Sequence, residues 1–259
     1  MEQFLEALVC SDKLIEIDPE DITFLNIRAF LLGMNDNYME SKKIYQEILE
    51  SNPNFLPAYF TSSIVKYKQE QYSQALDSIS QCLMIEESNS QAWYMKAQIL
   101  ISLERFQEAF ECFDRSLEID SDYILCIYDK AYYQRLYGDY NKAISGFSLV
   151  IEHCQSELSR KKLDSNHWYV YCASLSYIKN YVLCLEQIAE ALLRNPENAG
   201  IYFIIARHDA LEENIDQSLA NLKTAIKKSK HWQKAAIKEP DFDKIRQDPR
   251  FIELISDNF

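Results

Sequence analysis

Apolar residues along this chain fall at helical spacing in two short blocks separated by a turn, and the pair of blocks recurs every 34 residues. In residues 90–123, Trp93, Ala97 and Leu100 lie at i, i+4 and i+7, one face of a first helix. Phe106, Ala109, Phe110, Phe113 and Leu117 mark one face of a second. Leu103, Glu104 and Arg105 form the turn between them, and Gly138 holds the equivalent place one copy later, where glycine accepts a left-handed cap. An aromatic followed three residues on by a small residue recurs at Phe4/Ala7, Tyr38/Ser41, Tyr72/Ala75, Phe106/Ala109, Tyr140/Ala143 and Tyr181/Cys184, fading to Ile215/Ser218. From the second copy on, another small residue precedes the aromatic by nine positions: Ala29, Ser63, Ala97, Ala131, Cys172 and Ala206. These small residues predict where the two helices of a hairpin touch, since no bulky side chain fits in that contact.

A fixed period of this length predicts a solenoid, which grows by stacking neighbours and not by enlarging one core. Four Gly and six Pro in 259 residues suit long helices with short connections and argue against a sheet-rich fold. Pro19, Pro53 and Pro196 mark ends of copies.

The order Trp93, Ala97, Leu100, Phe106, Ala109, Phe113 resembles the tetratricopeptide repeat, and the other copies match at the same offsets. Full copies are 22–55, 56–89, 90–123, 124–157, 165–198 and 199–232. Lys96 and Lys130 depart from the family at a position that is often Leu, and Ser121 and Gln155 replace the closing Pro. The resemblance implies an all-α, right-handed superhelical array of antiparallel helix hairpins. The expected organisation is a half repeat over 1–21, four repeats over 22–157, an insertion at 158–164, two repeats over 165–232, and capping helices over 233–259. Seven inserted residues are close to two helical turns, so the preceding helix can lengthen with its buried face still inward. Arg160, Lys161 and Lys162 offer the alternative of a small docking feature there. In the last stretch Asp241 and Asp248 are expected N-caps, and Phe242, Ile245, Phe251, Leu254 and Ile255 are expected to plug the end of the stack.

In this family the first helix of each pair lines the inner surface. Position 5 of the six copies reads Asn26, Phe60, Tyr94, Tyr128, Tyr169 and Phe203, and position 9 adds Phe30, Tyr132 and Arg207. Arg135 falls at position 12. The expected partner-binding set is therefore Phe30, Phe60, Tyr94, Tyr128, Tyr132, Arg135, Tyr169, Phe203 and Arg207, an aromatic groove with two isolated cations that can meet a ligand carboxylate. Each ring can equally pack between neighbouring helices. The family's dicarboxylate clamp for chaperone C-terminal tails needs Lys and Asn at positions 5 and 9, and no window here supplies them, so such a tail is not the expected partner.

A formal charge of −13 disfavours nucleic acid and anionic membranes and favours a basic or amphipathic helical protein segment. Seven cysteines without a Cys-x-x-Cys pair read as reduced core residues, with no metal site and no cofactor expected. The first residues lack the basic region of a secretory signal, and a cytoplasmic location follows as the expectation. No phosphate loop, nucleophile elbow or zinc-protease motif occurs, so a non-enzymatic scaffold is expected. The alternative is self-assembly through Phe4, Leu5 and Leu8 of a first helix that lacks its usual neighbour, giving a homo-oligomer.

Overall fold

The computed structural model describes residues 2–159, 163 and 165–256, with the backbone alone for residues 2–5, 165 and 166. Among the described residues there is no strand. The helices run α1 (Glu2–Ile17), α2 (Ile22–Met34), α3 (Tyr38–Ser51), α4 (Leu56–Lys68), α5 (Tyr72–Ile85), α6 (Ser90–Ser102) and α7 (Phe106–Ile119). They continue with α8 (Ile124–Leu136), α9 (Tyr140–Ser159), α10 (Ser165–Tyr177), α11 (Tyr181–Arg194), α12 (Ala199–Leu211), α13 (Ile215–Lys228) and α14 (His231–Lys238). A 3-10 helix (Pro240–Ile245) and α15 (Pro249–Ile255) close the described chain. The array is all-α and of the solenoid class that the period predicts. It divides into two compact units, residues 1–126 and 127–259, with the division inside α8.

Each hairpin closes at the predicted pair of small residues. Ala29/Ser41, Ser63/Ala75, Ala97/Ala109, Ala131/Ala143, Cys172/Cys184 and Ala206/Ser218 are all buried. Ser63 donates to the Phe60 carbonyl of its own helix, but in the other pairs that contain Ser or Cys that residue bonds the partner helix: the Ser41 hydroxyl donates to the Ala29 carbonyl at 2.6 Å, and Ser218 donates to Ala206 at 2.8 Å. At Cys172/Cys184 the Cys184 thiol takes that role at 3.3 Å. In the α8/α9 hairpin a second close approach is set by Gly146, where an added Cβ would sit 2.7 Å from the Ala131 Cβ.

The turns inside the hairpins share one backbone geometry. Asp36, Glu70, Glu104, Gly138, Lys179 and Glu213 all have φ between 60° and 89°. The amide after each one reaches back five residues: Asn37 to Leu32, Gln71 to Lys66, Arg105 to Leu100, Asp139 to Gln134, Asn180 to Leu175 and Asn214 to Asp209, all at 2.8–2.9 Å. This is the Schellman closure of a helix C-terminus. The sequence shows it only at Gly138, since five of the six copies place a side chain in the left-handed region. Between hairpins Asp21, Asn89 and Asn198 cap the next helix through their side chains.

In the first unit α1 packs on α2, and Leu8 adds to the core around Ala29, Ile44, Ile48 and Val65. Arg28 of α2 pairs with both Asp12 of α1 and Glu40 of α3. The side chains of Phe4 and Leu5 lie outside the described residues. In the second unit α9 has 20 residues where α11 and α13 have 14, and it ends at Ser159. Arg160, Lys161 and Lys162 lie outside the described residues.

The recurring left-handed turn gives a direct test. Gly138→Ala meets no neighbour, yet it forces φ of 89° on an L-residue and should cost about 1 kcal/mol in urea unfolding. Glu104→Gly relieves the same strain at the cost of chain entropy, and should change stability by no more than about 0.5 kcal/mol.

Candidate functional site

The face presented by the first helices differs between the two units. In the first, Phe30, Phe60 and Tyr94 are half-buried. Phe30 rests on the core of the α2/α3 hairpin and Phe60 on that around Ile79 and Ile99. Tyr94 leans on Phe113 and meets Tyr123 edge-on at 5.0 Å. The neighbouring residues at positions 5, 6 and 9 are Asn26, Ile27, Thr61, Ile64, Met95 and Gln98, none of them ionisable. The Thr61 hydroxyl donates to the Asn26 side-chain oxygen at 2.9 Å, which ties α4 to α2.

In the second unit Tyr128, Phe203 and Arg207 are buried, while Tyr132, Arg135 and Tyr169 are half-buried. Tyr128 is 4% exposed, and its hydroxyl shares a 2.9 Å hydrogen bond with that of Tyr169. Tyr132 lies parallel to Tyr128 with centroids 6.5 Å apart and meets Tyr177 at 6.0 Å. Trp232 of α14 is inserted between Tyr169 and Phe203, with centroids 5.2 Å and 4.6 Å away. Phe242 of the 3-10 helix closes over Phe203 from another side at 5.5 Å. Burial drives the phenol of Tyr128 well above its ordinary value and that of Tyr169 up to about 12, so both are neutral hydrogen-bonding groups at any physiological pH.

Arg135 and Arg207 both hold carboxylates, and the carboxylates are the chain's own. Arg135 donates to Glu239 Oε1 at 3.0 Å and to Asp241 Oδ1 at 2.6 Å. Arg207 donates from Nε to Asp241 Oδ2 at 3.0 Å and from Nη2 to the same oxygen. The Tyr177 hydroxyl donates to Glu239 Oε2 at 3.1 Å, so all four carboxylate oxygens are engaged. Both guanidinium groups lie over the Tyr177 ring, at 4.6 Å for Arg135 and 3.9 Å for Arg207. Glu239 is fully buried and Arg207 is 1% exposed. Two cations and two anions leave the cluster neutral, which is the condition for such charges to stay inside. For Asp241, burial pushes the carboxyl up, but Arg207 and Arg135 outweigh it and hold it below its ordinary range.

The expected cap role of Asp241 belongs to Glu239, whose side chain accepts from the Asp241 amide. Asp248 does cap α15, with Pro249 behind it, and Phe242, Ile245, Phe251 and Leu254 are buried in one cluster with Leu222 and Ala236. Tyr177, Trp232 and Glu239 went unrecognised in the sequence. Tyr177 occupies position 13 of its copy, an inward position, and that was the available signal.

Charge is also unevenly shared. Residues 1–126 carry 22 acidic and 9 basic side chains, a formal −13, whereas residues 127–259 carry 18 of each, a formal zero. The whole net charge of the protein therefore sits in the first unit. Six of the seven cysteines are buried. No helix among the described residues is long and apolar enough to cross a membrane.

Removing one partner of the buried cluster should be costly. Asp241→Asn leaves Arg207 only its longer 3.6 Å pair with Glu239, gives the buried cluster a net positive charge, and should destabilise the second unit by about 3 kcal/mol in urea unfolding. Asp243→Asn breaks only an exposed pair with Arg246 and should cost less than about 1 kcal/mol. Acid should act through the same carboxyl. Its folded value lies below the ordinary 3.8, so its contribution is complete above that pH and is lost as pH falls below it. Trp232 fluorescence should hold steady down to that pH and change beneath it.

Comparison with known proteins agrees with this architecture. The family model described as anaphase-promoting complex, cyclosome, subunit 3 matches residues 34–116. Anaphase-promoting complex subunit 7 of Dictyostelium discoideum is 24% identical over 106 residues, 41% of this chain and 18% of that protein. A TPR repeat-containing protein of Bacillus subtilis, YpiA, is 36% identical over 76 residues, 29% of this chain and 18% of that protein. The chain thus spans about a fifth of the length of these relatives. Among solved structures, the APC/C hetero-tetramer Cut9-Hcn1 aligns over 91% of this chain and 45% of that chain, with a TM-score of 0.67 at 14% identity, a likeness of fold. On its period, its small-residue contacts, its turns and these matches, the chain is a tetratricopeptide-repeat protein.

Proposed function

We propose that this protein is a non-enzymatic scaffold that holds a segment of a partner protein along the first-helix face of its first unit. The observation that carries this reading is the contrast between the units: Phe30, Phe60 and Tyr94 stay half-exposed, whereas Tyr128 is buried among Tyr132, Phe147 and Tyr169, and Phe203 lies against Trp232 and Phe242 of the chain's own C-terminal segment. A half-exposed aromatic row whose neighbours at positions 5, 6 and 9 are not ionisable favours apolar anchor side chains spaced along an extended or helical peptide. The charge of −13 on the same unit favours a basic or amphipathic segment, because the surrounding field attracts cations and steers their approach. Protein binding is also the general role of tetratricopeptide arrays. The matches to anaphase-promoting complex subunits 3 and 7 make a place within a multi-subunit assembly a natural setting for it.

Affinity capture followed by quantitative mass spectrometry tests this. Proteins retained by the wild type should fall at least tenfold with Phe60→Ser/Tyr94→Ser, at unchanged helicity by circular dichroism. Their retention should also weaken as salt rises from 50 to 300 mM, on the scale set by a Debye length of about 8–10 Å near physiological ionic strength. An identical retained set for both proteins would remove the first unit from the binding role.

A further inference from the structure

The buried charges in the second unit do more than a plug requires. Ile245, Phe251 and Leu254 already close the end of the stack with apolar area. A buried ion cluster adds little net stability over apolar side chains of the same volume, and its best-attested use is to fix a register or to serve as a switch. Here it reads a short pattern: Glu239 and Asp241, two residues apart, followed directly by Phe242. Each element of the pattern has its own receptor. Arg135 and the Tyr177 hydroxyl take Glu239, Arg207 with Arg135 takes Asp241, and Phe203 takes the ring of Phe242. The segment that is read starts at Glu239, runs through the six-residue 3-10 helix Pro240–Ile245, and is braced from within. Arg246 donates to the Ile237 and Glu239 carbonyls and to Asp243.

We propose that the first-helix face of the second unit is a binding site for an acidic segment of the form Glu-x-Asp-aromatic, filled in cis by residues 239–242, and that a partner protein carrying that pattern binds by displacing them. This goes beyond the scaffold reading, which concerns the other unit and a basic partner. The local chemistry supports it. The second unit has no net charge to repel an acidic peptide, and its two inward cations converge on carboxylates. The tethered copy acts at an effective concentration of the order of millimolar, so an outside peptide competes only when the tethered one is weakened or outmatched.

The test uses the full chain and a fluorescein-labelled peptide of residues 236–246, followed by anisotropy. The variant Asp241→Ala/Phe242→Ala, which weakens the tethered copy, should bind the peptide at least tenfold more tightly than the wild type does. On that variant a peptide carrying Gln at 239 and Asn at 241 should bind at least tenfold more weakly than the parent peptide. Adding Arg135→Ala and Arg207→Ala to the variant should erase the difference between the two peptides. Equal binding of the two peptides, or equal binding by wild type and variant, would overturn the proposal. Should the variant fail to fold, hydrogen exchange on the wild type decides the matter. The amides of Phe242, Arg246 and Asp248, which are bonded within the segment, should exchange through a partial opening that leaves α12 and α13 protected. Exchange of these amides only by global unfolding would make the segment a permanent part of the core and end the proposal.

Discussion

Everything in this molecule depends on how closely two helices of a hairpin can approach. That approach is set where two small side chains meet, from Ala29/Ser41 at one end to Ala206/Ser218 at the other. Close contact there brings the second helix far enough in for Ile48, Ile79, Phe113, Phe147, Ile188 or Leu222 to fill the space against the hairpin. A bulky side chain at either small position would hold the helices apart and open voids around those residues. Once the hairpin is fixed, its first helix has one face left over, and position in the repeat determines which side chains lie on it.

The two units use that leftover face differently. In the first it carries no charge at positions 5, 6 and 9, and its aromatic row is half-open within an acidic surround. In the second it is aromatic and basic, and covered by a segment whose two carboxylates neutralise two arginines. The desolvation of four charges makes that arrangement expensive unless every oxygen and every guanidinium edge has a partner, and the hydrogen bonds from Arg135, Arg207 and Tyr177 meet the condition for the oxygens. Stacking of both guanidinium groups on Tyr177 adds attraction that a lysine would not reproduce in the same geometry.

Particular residues show what could and could not be read along the chain. Gly138 announced a left-handed turn, but Asp36, Glu70, Glu104, Lys179 and Glu213 adopt the same conformation without any local mark, because the Schellman bonds and the packing of the hairpin impose it. The apolar residues of the C-terminal segment announced a plug, since burial follows hydrophobicity with little regard to partner. Asp241 was misread for the opposite reason. A carboxylate next to a helix start satisfies a local capping rule, while its actual partners Arg207 and Arg135 lie 34 and 106 residues away.

The sequence by itself therefore determined the repeat, the pairs of helices, the positions at which they touch and the residues available to the inner face. Those follow from periodicity, and periodicity is local physics repeated. Only the tertiary structure decided which of the inner residues stay open and which are covered. Arg135 meets Glu239 across 104 residues of chain, and Trp232 stands between Tyr169 and Phe203, because stacking the hairpins brings their first helices beside the returning C-terminal segment. No pattern within a single repeat encodes that meeting. It exists only after the hairpins of the second unit have stacked, when the last aromatic and acidic side chains find a face shaped to receive them.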